Sequence, residues 1–109
     1  MIIEFDDSSA PANLICPKCQ GQYLQHDAIT IFERDEEDAP SHALHVEGGR
    51  LSKIEGAQAD RANPSLRRNG VSVRFWCESC RAIQELTIEQ HKGSTYMRWR
   101  EIEQAEVAS

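Results

Sequence analysis

Cys16-Pro17-Lys18-Cys19 and Cys77-Glu78-Ser79-Cys80 are the stretches whose residue types and spacing speak most directly to chemistry, and they hold all four cysteines of the chain. A C-x-x-C pair turns two thiolates towards one point from a tight backbone turn. Two such pairs supply four soft sulfurs, the tetrahedral shell that suits Zn²⁺. A single C-x-x-C beside a βαβ pattern would read as a redox dithiol, but here there are two pairs and no amphipathic helix follows either. A disulfide framework is disfavoured because the N-terminus, Met1-Ile2-Ile3-Glu4-Phe5-Asp6-Asp7, is acidic and lacks the apolar stretch of a secretory signal. The reading is a cytoplasmic, reduced chain in which Cys16, Cys19, Cys77 and Cys80 hold one structural zinc, with no coordination position left for water.

Other side chains offer weaker patterns. Asp35-Glu36-Glu37-Asp38 is a run of carboxylates, read as a solvated turn. His42 and His45 have the spacing of a second metal pair, but no third ligand stands beside them, so they are read as strand or surface histidines. Charge is unevenly spread within a net charge of -6: residues 1–40 carry nine acids against Lys18 and Arg34, whereas residues 61–100 carry eight basic residues against Glu78, Glu85 and Glu89. In that basic half Arg67, Arg68, Arg74, Trp76, Tyr96, Arg98 and Arg100 combine phosphate partners with stacking surfaces, the mixture a single-strand nucleic-acid binder uses.

The elements that must position these groups read as strands. Tyr23 to Phe32 alternates, with Leu24, His26, Ala28, Thr30 and Phe32 on one face. His42 to Ile54 has a hairpin signature, Gly48-Gly49 filling both positive-φ positions of a turn across which Glu47 faces Arg50. Residues 55–70 read as a linker-like return, with room for one helical turn between Asn63-Pro64 and Asn69-Gly70. Val71 to Cys77 is the clearest strand, Val71, Val73 and Phe75 opposing Ser72, Arg74 and Trp76. Ile83 to Glu89 and Thr95 to Arg100 follow, joined by a loop at Gln90-His91-Lys92-Gly93. The expected organisation is an acidic leader at 1–13, a single mainly β domain at 14–100 with 33–70 inserted between its halves, and an acidic tail at 101–109. At 109 residues and a mean hydropathy of -0.58, the apolar content is lean for one core, so metal binding is expected to supply stability. No apolar run approaches the roughly 20 residues a membrane span needs.

A Cys-Pro-x-Cys knuckle, a strand, a long excursion, then strand, Cys-x-x-Cys and a closing hairpin resembles the zinc-ribbon class. Phe75-Trp76-Cys77-Glu78-Ser79-Cys80, with Leu86-Thr87-Ile88 and Gln90-His91-Lys92-Gly93, is also similar to small zinc-ribbon proteins of bacteria and their phages. The resemblance implies a small antiparallel zinc-ribbon sheet and its metal, and carries no activity with it. It departs from the common ribbon pattern after each pair, where Gln20 and Arg81 stand in place of a left-handed glycine and Gly21 comes one residue late. A closed metal shell and acidic overall charge point to a non-enzymatic module for protein recognition, with Asp35 to Asp38 and Gln90 to Gly93 as candidate contacts. Nucleic-acid binding through the basic half is the alternative. A nuclease built from Asp35, Glu36 or Asp38 with a histidine is the remotest reading, since no spacing supports a particular constellation.

Overall fold

The computed structural model describes residues 12–36, 39–66 and 68–101. The leader's first eleven residues, Glu37 and Asp38 of the acidic run, Arg67, and the tail from Ile102 lie outside them. The strands are β1 (Leu24–Glu33), β2 (His42–Glu47), β3 (Arg50–Glu55), β4 (Gly70–Cys77), β5 (Ile83–His91) and β6 (Ser94–Glu101), with one helix, α1 (Ala57–Ala62). They form one antiparallel sheet in the order β3-β2-β1-β4-β5-β6. The outer hairpins are set by their turns. Gly48 and Gly49 take φ of 58° and 78°, and Lys92 and Gly93 take 50° and 83°, the mirror-image geometry that matches the right-handed twist of the flanking strands. The second turn is tighter than the four-residue loop expected, because Gln90 and His91 continue the ladder opposite Thr95 and Ser94.

Two departures from the sequence reading have local causes. The pairing of β1 with β4 shifts between His26 and Ala28, leaving Asp27 as an extra residue. A bulge reverses the alternation, so His26 stands with Phe75 on one face while Ala28, Thr30 and Phe32 stand on the other. The helix falls before Asn63-Pro64 rather than after it. Ala57, Gln58 and Ala59 favour helix, small side chains let the segment lie close to the sheet, and Asn63, pushed to extended ψ of 121° ahead of proline, ends it.

Helix α1 gives the two faces of the sheet different fates. Ala59 and Ala62 pack on Phe32, Ala43 and Ile54, forming a small core on what becomes the helix face. A polar network pins this arrangement: Ser41, fully buried, donates its N–H to Asp60 Oδ1 at 2.7 Å, and its hydroxyl accepts from Arg34 Nη2 at 2.9 Å and Asn63 Nδ2 at 3.1 Å. Farther along the same face the rows turn polar and charged, with Thr30, Ser72 and Thr87, then Glu47, Arg74, Glu85 and Arg100.

The opposite face carries two cross-strand rows that are apolar almost from edge to edge. One runs Leu51, Val46, Ile29, Val73, Leu86, Trp99; the other runs Lys53, Leu44, Ile31, Val71, Ile88, Met97. Among the described residues no helix or strand packs on this face. Ile31 is 48% exposed and Val46 46%, large values for aliphatic side chains on inner strands; Leu51 on the edge strand is 67% exposed, while Leu86 is buried among its neighbours at 6%. Only at one corner do Pro17 and Lys18 come down beside Gln84, Trp99 and Glu101.

Where β4 begins, Gly70 lies under the return from α1, and a β-carbon there would meet Asn63 Oδ1 at 2.6 Å and Pro64 Cγ at 2.8 Å. Gly70→Ala is therefore expected to destabilise the metal-loaded protein by about 1–3 kcal/mol, through overpacking of a closed site. The change is read as a lower urea midpoint at unchanged slope.

Candidate metal centre

Both cysteine pairs lie in backbone knuckles of the same construction. In the first, Gln20 N–H donates to the Cys16 carbonyl at 2.9 Å and Cys16 N–H to the Gly21 carbonyl at 2.9 Å. In the second, Arg81 N–H donates to the Cys77 carbonyl at 2.9 Å and Cys77 N–H to the Ala82 carbonyl at 3.0 Å. Each fifth residue turns left-handed, Gln20 and Arg81 both at φ 66°. The knuckles thus take the geometry glycine would make easy without having it, at a cost of about 1–3 kcal/mol per residue that the surroundings must hold in place. Gly21 serves another purpose: a β-carbon on it would sit 3.0 Å from Ser79 Oγ and 3.2 Å from Cys19 Sγ. Its missing side chain lets the two knuckles approach.

The sheet brings them together. Antiparallel pairing of β1 with β4 ends at Leu24 opposite Cys77, and Glu78 N–H extends it by donating to the Tyr23 carbonyl at 3.0 Å. Gln25 Nε2 adds a bond to Glu78 Oε2 at 2.7 Å. As a result Cys16 Sγ lies 3.8 Å from Cys80 Sγ, Cys19 Sγ lies 3.5 Å from Cys77 Sγ, and all four sulfurs fall within 4.8 Å of one another. Metal–sulfur bonds of about 2.3 Å at tetrahedral corners require sulfurs roughly 3.8 Å apart. The four cysteines fit one metal ion. Cys16 and Cys77 are buried while Cys19 and Cys80 face solvent, so the centre lies at the surface.

Amide groups aim at the sulfurs: Lys18 N–H donates to Cys16 Sγ at 3.4 Å, Gly21 N–H to Cys19 Sγ at 3.3 Å and Cys80 N–H to Cys77 Sγ at 3.5 Å. The Cys80 amide, seconded by those of Ser79 and by the Cys19 thiol, draws Cys77 down to about 6 against the effect of burial. At Cys19 the Gly21 amide pulls downward but is outweighed by the Cys77 sulfur, desolvation and the Cys80 and Cys16 sulfurs, which push it up to about 12. The cluster therefore gives up one proton readily and holds another between Cys19 and Cys77. A cation at the centre would take that proton's place.

Arg74, Trp76, Tyr96, Arg98 and Arg100 do share the helix face, and Arg68 lies in the return that precedes β4. Arg74 is held by Asp27 and Glu47, both at 2.8 Å, Arg98 by Glu89 at 2.9 Å and Arg100 by Glu85 at 3.1 Å. Arg68 Nη1 donates to the Asp35 carbonyl at 3.4 Å. Trp76 is half-buried; Tyr96 is 52% exposed. His42 and His45, three apart on β2, point to opposite faces and do not converge: His42 Nδ1 lies 3.7 Å from Glu55, and His45 lies between Thr30 and Glu47. Among the described residues the four cysteines are the only group of three or more metal-ligating side chains whose ligand atoms converge; Asp35 and His42 line one cleft with Glu33 and Glu55 without forming a second such group. Sequence reasoning missed Asp27, whose bulge lets it reach Arg74, and the approach of Ser79 to Gly21.

No protein-family model, no curated protein and no solved structure matches this chain.

Metal affinity follows the sulfur protons. Displacing the Cys19 proton should lower apparent affinity at least tenfold per unit as pH falls below 12, and below about 6, where Cys77 also protonates, at least hundredfold per unit. Titration with Co²⁺, followed by its thiolate charge-transfer absorbance, measures the slope. In the second knuckle, Arg81→Gly should be tolerated within about 1 kcal/mol while Arg81→Val, β-branched at φ 66°, should cost about 2 kcal/mol in thermal or urea unfolding.

Proposed function

We propose that this chain is a non-enzymatic binding module of zinc-ribbon type, stabilised by one Zn²⁺, whose task is recognition of another protein. Zinc suits four thiolates in a closed tetrahedral shell, and such a shell has no open position for a reacting water. The sequence's own residues supply the rest of the centre: Cys16, Cys19, Cys77 and Cys80 bind, and the backbone amides of Lys18, Gly21 and Cys80 orient and partly neutralise the sulfurs. Reduced thiolates suit a cytoplasmic setting. Among the described residues no helix is long and apolar enough to cross a membrane.

The observation that carries protein recognition is the bare apolar face. Monomeric proteins rarely leave contiguous apolar surface of several hundred Å² uncovered, and such patches mark association surfaces. The alternative, nucleic-acid binding through Arg67, Arg68, Arg74, Trp76, Tyr96, Arg98 and Arg100, loses weight from the ion pairs. Arg74, Arg98 and Arg100 already have carboxylates within 3.1 Å, which a phosphate would have to displace, and an acidic whole slows approach to a polyanion.

Elemental analysis of reduced protein should find one zinc per chain. Its removal by chelator should withdraw on the order of 10 kcal/mol and collapse both the far-UV circular dichroism and the thermal transition. Single-stranded DNA and RNA, titrated at 50 and 200 mM salt, should bind weakly. A metal-free chain that stays folded sinks the zinc scaffold. Tight binding that drops about a thousandfold across that salt range, and is lost in Arg98→Ala, transfers the function to nucleic acid.

A further inference from the structure

We infer that the partner of the bare face is the same face of a second copy of this chain, so that two six-stranded sheets stack as a symmetric sandwich. The inference rests on the recognition reading and names its partner. Its first ground is extent. The apolar rows run from Leu51 on one edge strand to Trp99 on the other, across all six strands. A single docked helix is about 10 Å across and would shield about two strands, leaving the remainder wet. A sheet of equal width covers everything, and stacked sheets pack about 10 Å apart with side chains of both inner faces interdigitated.

The second ground is area. Six strands about 4.8 Å apart, counted over the two apolar rows and the bordering row at each end, about 20 Å along the strands, give a face on the order of 600 Å² before the relief of the side chains is added. That relief brings it towards the roughly 800 Å² per partner of a standard stable interface.

The third is anatomy. The apolar rows are bordered at one end of the strands by Glu33, His42 and Glu55 and at the other by exposed His26 and Glu101 with Phe75 and buried Gln84 between them, while Lys53 lies on the edge strand with its ammonium within reach of water. An apolar centre inside a polar rim is how interfaces between copies are built, and a two-fold axis lays such a patch on itself. With the axis along the strands, the Trp99 edge of each copy covers the Leu51 edge of the other. The ion pairs of Arg74, Arg98 and Arg100 lie on the opposite, helix face, and the charged groups of the bare face, including the His42–Glu55 pair, stand at its border rather than in its centre.

Light scattering and sedimentation of the zinc-loaded full chain from about 1 to 100 µM test this. The expected mass is twice that of the 12.3 kDa chain. Val46→Glu and Leu51→Glu, each placing a carboxylate on the buried contact, should weaken the dimer roughly a hundredfold or more with zinc content and circular dichroism unchanged. Leu51 is two-thirds exposed in the single chain, so its variant folds even if Val46→Glu does not. Tyr96→Glu, on the helix face, should leave the mass alone. A dimer indifferent to both face variants overturns the inference, as does a monomer at 100 µM. A monomer whose face takes up a hydrophobic dye, and loses it in Val46→Glu, removes the second copy yet preserves a recognition surface. A monomer that takes up no dye removes both.

Discussion

The pairing of β1 with β4 is the constraint on which the rest depends. It ends with Leu24 opposite Cys77 and so delivers two knuckles, far apart in the chain, to one point. Closing a loop of this length costs about 3–4 kcal/mol in chain entropy, beyond a constant term. Four sulfurs within 4.8 Å also resist losing their protons together. A bound metal ion offsets both by on the order of 10 kcal/mol and can hold Gln20 and Arg81 in a left-handed conformation that neither prefers. The ladder places the ligands, and the ligands in turn stiffen the end of the ladder.

The helix face and the bare face show why so lean a chain needs that help. Its compact core is little more than Phe32, Ala43 and Ala59 with Ile54 and Ala62 around them. Most of the large aliphatic side chains lie on the other face, where among the described residues no helix or strand covers them. Apolar area that would stabilise a two-layer fold is displayed instead, so a metal ion bound by the four cysteines would supply part of the stability that a core supplies elsewhere.

Much of this was legible from the residues. Two C-x-x-C pairs specify a metal shell whatever the fold, Gly48-Gly49 specifies its turn because few residues take positive φ twice running, and Val71 to Cys77 alternates too regularly to be anything but a strand. What could not be read depends on contacts. The extra residue at Asp27 shows only against the register of β4, and it reverses the facing of His26. The helix at Ala57–Ala62 is too short to have a period, and it forms because Ala59 finds Phe32 and Ala43. The alternation of Ile29, Ile31, Val71 and Val73 against Thr30 and Ser72 announces two faces, but which is covered is decided by where the return after β3 docks. It docks on the small and polar side, leaving the aliphatic one open.

The position of the cysteines has a mechanical consequence. With a metal ion joining the sulfurs, a pull applied between the two ends of the described chain enters at the first knuckle and crosses the metal–sulfur bonds directly to the second. The segment between Cys19 and Cys77, with β1 to β4 and α1 on it, then lies outside the path of tension. The hydrogen bonds within that segment bear load only after coordination fails, whereas those from β4 to β5 are loaded from the start, so the metal centre acts as a clasp that shields β1 to β3 and α1 from force.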